Sequence, residues 1–181
     1  MKSLLKWVGV VAVVGLLANS ARAENSLTIG KVKSVNADNK EFVLTDNTGK
    51  DFAIKLAEDV VINRGGTESG TGLKADDSVH ICYEKGQKEL TAHYILVKEG
   101  DTKDCQLVDG TFKSYDADRK EFTFTDGQGK DWTHAMGGAS VRMNMQDSKI
   151  ENVKNGDHTL AVVEQVGDKR TVKAVMANRG K

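Results

Sequence analysis

Proline is absent from all 181 residues. Every reversal of the chain must therefore be built from Gly, Asn or Asp, and exposed strand edges lack one of their usual blockers. Aromatic residues are sparse at 6%. No segment sustains a 3.6-residue apolar period, which speaks against a helical bundle, although Ile150 to Val153 could form one helical turn. An excess of one charge is missing too, with 26 basic residues against 26 acidic ones, and the two signs are interleaved. Phosphate recognition needs clustered positive charge, so a nucleic-acid partner is not expected. No Ser, Cys or carboxylate stands in a nucleophile motif, and no His pairs locally with a nucleophile and an orienting carboxylate. Gly65-Gly66-Thr67-Glu68-Ser69-Gly70 leads to no helix, so it reads as a flexible loop rather than a phosphate cradle. The chain is expected not to be an enzyme.

The apolar stretch that stands out is Val8 to Ala18, preceded by Lys2 and Lys6 and followed by Ala21-Arg22-Ala23. This is the layout of a secretory leader. It is short of the roughly 20 apolar residues that span a bilayer. Cleavage is expected after Ala23, with no cysteine following to carry a lipid. The mature chain then has 23 basic against 26 acidic residues, a net of −3, and is not embedded in a membrane. A periplasmic or secreted location follows. Cys82 and Cys105 are the two cysteines, and in an oxidising compartment they are expected to form one disulfide. Closing a loop of about two dozen residues contributes roughly 3 kcal/mol. Two free thiols acting as soft-metal ligands are the competing reading.

Duplication organises the rest. Placing Gly30 on Gly110 aligns GKVKSVNADNKEFVLTDNTGKDF with GTFKSYDADRKEFTFTDGQGKDW, thirteen of 23 positions being identical. The same offset returns at Leu73-Lys74-Ala75-Asp76-Asp77 against Val153-Lys154-Asn155-Gly156-Asp157. The expected organisation is a leader over 1–23, a repeat over 26–99, a linker over 100–105, and a second repeat over 106–181. Within each copy, Asp46-Asn47-Thr48-Gly49 and Asp126-Gly127-Gln128-Gly129 are hairpin turns. Phe52, Ile54 and Leu56 alternate with Ala53 and Lys55, the period of a half-buried strand. Val79, Ile81 and Tyr83 repeat that pattern, Leu90 to Val97 completes a second hairpin, and Gly30 suggests a bulge in a bent first strand. The fold class is all-β, two tandem small barrels of five to six strands.

Gly-x-Val/Phe-x-Ser opening the first strand, Asp-x-x-Gly-Lys, Leu-Lys-x-x-Asp-x-Val and Leu-Thr-Ala-x-x-Ile resemble small bacterial periplasmic domains of uncharacterised function. The resemblance implies barrels related to the oligonucleotide/oligosaccharide-binding fold. It speaks to fold rather than activity.

Chemistry concentrates in the second repeat, where Trp132, His134 and Met136 share one strand face and Met143 and Met145 follow. An ungapped alignment sets these against Phe52, Ile54, Leu56, Asn63 and Gly65. Thioethers and imidazole suit Cu(I) or Ag(I). The set resembles that of the periplasmic copper chaperone family of the Cus efflux system, in which a small barrel carries Trp, His and two Met. That resemblance implies a copper or silver ion held by Met143, Met145, Met136 and His134, with Trp132 capping it. The alternative from packing is that the methionines fill core volume. Asp116-Ala-Asp118 and Asp126 to Asp131 echo calcium loops but lack the closing Glu, and read as turns. His80, Cys82 and His93 form a third set. His80 faces His93 if the hairpin loop is Gly86-Gln87, and Thr91 if it is Lys85-Gly86. The leading expectation is a binding or scaffolding protein whose partner is an envelope protein or small ligand, with Arg64 to Gly72 and the exposed strand edges as contact surfaces. The alternative is the soft-metal carrier; otherwise no cofactor is expected.

Overall fold

In the computed structural model, residues 25–86 and 88–179 are described. The leader falls outside them. Six strands make up the first repeat: β1 (Asn25–Asn36), β2 (Glu41–Asp46), β3 (Asp51–Arg64), β4 (Thr67–Ser69), β5 (Ser78–Lys85) and β6 (Leu90–Val97). Six more make up the second: β7 (Cys105–Asp116), β8 (Glu121–Asp126), β9 (Asp131–Met143), β10 (Gln146–Asp147), β11 (His158–Val166) and β12 (Lys169–Asn178). Short 3-10 turns occupy Gly100–Thr102 and Ile150–Asn152. Among the described residues no helix is long and apolar enough to cross a membrane.

The first sheet runs β2-β1-β5-β6-β3-β4, and β2 also pairs with β3, so five strands close into a barrel. All its contacts are antiparallel except β3 with β6. The second sheet repeats that order, and β8 pairs with β9 as β2 pairs with β3.

Gly30 is not itself the bulge. The register slips between Val32 and Ser34, and in the second copy between Phe112 and Ser114. The glycine instead permits a close approach, because a Cβ there would lie 2.4 Å from the Thr45 carbonyl oxygen. Gly110 is under the same constraint, 2.5 Å from Thr125 O.

Each repeat has its own interior, with Val32, Phe42, Leu44 and Ile54 in the first and Phe112, Phe122 and Phe124 in the second. A third core lies between the repeats. Val61, Cys82, Tyr94 and Leu96 supply one side, and Cys105, Leu107, Leu160, Val162, Ala174 and Met176 the other. Strand β6 therefore serves two cores: Ile95 and Val97 face the barrel, while Tyr94 and Leu96 face the second repeat. Burial on both faces accounts for the uninterrupted apolar run Tyr94-Ile95-Leu96-Val97.

A polar chain crosses this junction. Asn63 Nδ2 donates to Tyr94 Oη at 2.9 Å, and Tyr94 Oη donates to Glu68 Oε1 at 2.9 Å. Arg142 Nε of the second repeat donates to Glu68 Oε2 at 2.8 Å. The two cysteines do not form the expected disulfide. Both are free and buried, serving the shared core as small apolar residues, and Cys82 stands where the duplicate has Val162. Burial pushes the Cys82 thiol up to about 12.

Candidate functional site

Trp132, His134 and Met136 lie on β9, alternating with exposed Asp131, Thr133 and Ala135. His134 and Met136 are buried, and the His134 ring lies 6.3 Å from Trp132 and 5.8 Å from Phe124. Burial first, and then the charge of Arg170, hold the imidazole below its ordinary range. Trp132 Nε1 donates to Asp126 Oδ2 at 2.7 Å. Its ring already carries two protein cations, Lys130 Nζ at 3.9 Å and Arg170 Cζ at 5.2 Å from the centroid. Positive charge at that ring works against a further cation.

The other two methionines lie elsewhere. Met136 pairs with Val172 of β12, whereas Met143 pairs with Ala177, five residues further along the same strand. At about 3.3 Å per residue that is roughly 16 Å of strand. Met143 packs on the second repeat's core, while Met145 packs on the core between the repeats. The structure thus places Trp132, His134 and Met136 in succession along one face of β9, Met143 at the far end of that strand against the same core, and Met145 on the core between the repeats. Nor are the duplicates of these two methionines Asn63 and Gly65. Strand β9 is one residue shorter than β3, and the ladders place Met143 against Ala177 as they place Arg64 against Val97.

His80 and His93 do not face each other in either expected register. His80 pairs with Leu96, and the ladder slips at Cys82, leaving His93 unpaired in a bulge. At the connection Gly86 N donates to Glu89 O at 2.9 Å. His93 Nε2 lies 3.4 Å from Glu84 Oε2. His80 Nδ1 instead accepts from Leu107 N of the second repeat at 3.4 Å. The acidic turns act as turns: Asp46 Oδ1 accepts from Thr48 N at 2.8 Å and Lys50 N at 2.9 Å, and Asp126 does the same for Gln128 and Lys130.

The segment Arg64 to Gly72 is not a free loop, because it contains β4, paired back onto β3. Arg64 fixes it by donating to Asp77, to Glu99, and to Gly72 O at 2.8 Å. Beside it the barrel is open. A cavity of about 410 Å³ is lined by Val35, Leu56, Val60, Ile62 and Leu73. Its floor is the barrel core, since Val60 and Ile62 are 7% and 1% exposed. Lys40 and Glu58 supply its charged lining. This cavity was not singled out from the sequence, although the glycine-rich segment that flanks it was.

These features define an all-β tandem-repeat protein with a closed five-stranded barrel in its first half. No family model matches the chain, and no curated protein matches it. Among solved structures it is similar to silver-bound CusF of Escherichia coli, at 12% identity and a TM-score of 0.36, over 42% of this chain and 95% of that one. A tryptophan-to-alanine variant of CusF from the same organism, with Cu(II), gives 16% identity and a TM-score of 0.32, over 42% and 94%. Another silver-bound CusF structure gives 16% identity and 0.31, over 40% and 96%.

Proposed function

We propose that this chain is a non-enzymatic, exported binding protein made of two tandem OB-like barrels, which receives a small ligand at the open end of the first. Export rests on the leader-like residues 1–23. The observation that carries the binding reading is the apolar cavity of about 410 Å³ beside Gly70–Gly72. Concave, mostly apolar sites of roughly 300–1,000 Å³ with a few polar groups are where small ligands bind.

The soft-metal reading is weaker, because only His134 and Met136 of its ligand set are neighbours and Lys130 and Arg170 already lie over Trp132. One pair of titrations decides between the two. With the apolar fluorophore N-phenyl-1-naphthylamine, saturable enhancement at one probe per chain is expected. Without saturable enhancement, and with no binding of a smaller aliphatic alcohol, the binding reading is lost. Anaerobic Cu(I) competed by a chelator is expected to give no stoichiometric complex. A tight one-to-one complex abolished by Met143→Ala/Met145→Ala would reverse the order of the readings.

A further inference from the structure

The two repeats treat the same end of the fold differently. In each, two anchors bracket the connection that crosses it. The first is the serine that pairs back onto the long strand: Ser69 opposite Ile62, and Ser148, whose N–H donates to Val141 O at 2.8 Å. The second is the lysine whose N–H donates to an aspartate, Lys74 to Asp77 and Lys154 to Asp157, both at 2.8 Å. Between the anchors the first repeat has Gly70-Thr71-Gly72-Leu73, and the second has Lys149-Ile150-Glu151-Asn152-Val153.

The longer connection forms a 3-10 turn and drives Ile150 inward, 7% exposed, onto the core that holds Phe112, Met136 and Val153. The shorter one has no side chain to send in beyond Leu73, which is only partly buried. Tyr115, packed against the second repeat's core, is likewise replaced by the smaller Val35.

Backbone conformation requires glycine at Gly72, whose φ is +103°. It does not require it at Gly70, which is absent from the positive-φ positions. A Cβ on Gly70 would meet nothing closer than Val60 O at 3.7 Å, an ordinary contact. Glycine at position 70 leaves the cavity wall there without a side chain.

We infer that this opening binds a small molecule with a compact, branched aliphatic body, which fills in the first repeat the place that Ile150 fills in the second. The inference rests on the binding reading above and specifies its ligand. The lining of Val35, Leu56, Val60, Ile62 and Leu73 offers aliphatic contact and no aromatic face. Lys40 and Glu58, both exposed, leave a polar head group at the solvent edge. In the second repeat the aliphatic group is covalently supplied, so that end is closed by the chain itself.

The test is displacement of N-phenyl-1-naphthylamine from the purified protein. 3-Methylpentan-1-ol is expected to compete at a concentration about tenfold lower than benzyl alcohol, the discrimination that a small misfit gives in an apolar pocket. Gly70→Ile is expected to abolish probe binding and to raise the melting temperature by filling the cavity. If that variant fails to fold, methyl NOEs from 3-methylpentan-1-ol to Val60 and Ile62 in the parent protein give the same answer. Equal competition by benzyl alcohol, retained binding in a folded Gly70→Ile, or absent NOEs would overturn the aliphatic assignment while leaving a binding protein. No binding of the probe or of either alcohol would remove both.

Discussion

His80 occupies the position that the duplicate gives to Leu160, so one side of the shared core carries an imidazole where the other carries an isobutyl group. Burial, and secondarily the charge of Lys98, push that imidazole down to about 4 from its ordinary 6.5. Above pH 6.5 it is neutral folded or unfolded and does not affect the balance. Between 6.5 and 4 the unfolded chain takes up a proton that the folded one refuses, so stability falls as pH falls through that window and levels off below it. His134, also held below its ordinary range, acts in the same direction. His80→Leu is therefore expected to lose less stability than the parent between pH 7 and pH 4.5, compared by urea midpoints at the two pH values. Equal losses would mean that His80 is already solvated and that its contact with Leu107 N is incidental. The cysteines show the same substitution logic. Composition and compartment argued for a bridge, but residue count says nothing about whether a thiol is needed as packing volume.

At the scale of the strand, glycine carries two distinct duties that composition alone does not separate. Gly30 lets β1 pass close to the Thr45 carbonyl, and a Cβ placed 2.4 Å from that oxygen forces β1 and β2 apart. Gly127 meets nothing within 4 Å and has no positive φ. Gly30→Ala is expected to destabilise by at least about 2 kcal/mol in urea denaturation, and Gly127→Ala to stay within about 0.5 kcal/mol. A neutral Gly30→Ala would show that the strands can separate at that point. Much of this level was legible in the sequence. Strict alternation marked β3 and β5, and Asp-x-x-Gly marked the hairpins, because both follow from local backbone geometry. The bulge at Cys82 was not legible, since a ladder slip depends on what the far face packs against. The difference between the repeats was hidden for a simpler reason. Strand β9 is one residue shorter than β3, and the connection through Ile150 is one residue longer than its counterpart. The two changes cancel, so one offset fits both ends while misassigning Met143 and Met145 and obscuring the unfilled end of the first barrel. The apolar runs Tyr94 to Val97 and Ala174 to Ala177 are buried on both faces, but nothing local in them names the second partner.

For the whole molecule, the core between the repeats sets how the halves behave. It joins residues of β3, β5 and β6 to residues of β7, β11 and β12, and the same strands supply the interiors of both repeats. Neither half can lose its strand order without uncovering Tyr94 and Leu96, or Leu160 and Met176, to water. The Glu68–Arg142 contact adds a penalty, because opening the junction breaks a charge-assisted hydrogen bond, which contributes about 1.5–3 kcal/mol. One cooperative unfolding transition is therefore expected in calorimetry, with van't Hoff and calorimetric enthalpies equal. Leu96→Ala, which removes a fully buried side chain from the junction, is expected to cost about 2–5 kcal/mol and to lower that single transition as a unit. Two resolved transitions in the parent, with Leu96→Ala moving only the one belonging to the first repeat, would mean that the halves fold independently and merely touch. On the binding reading proposed above, a joined body would hold the first barrel's open end in one conformation before a ligand arrives. The second repeat, closed by its own Ile150, would then be the buttress against which that end is held.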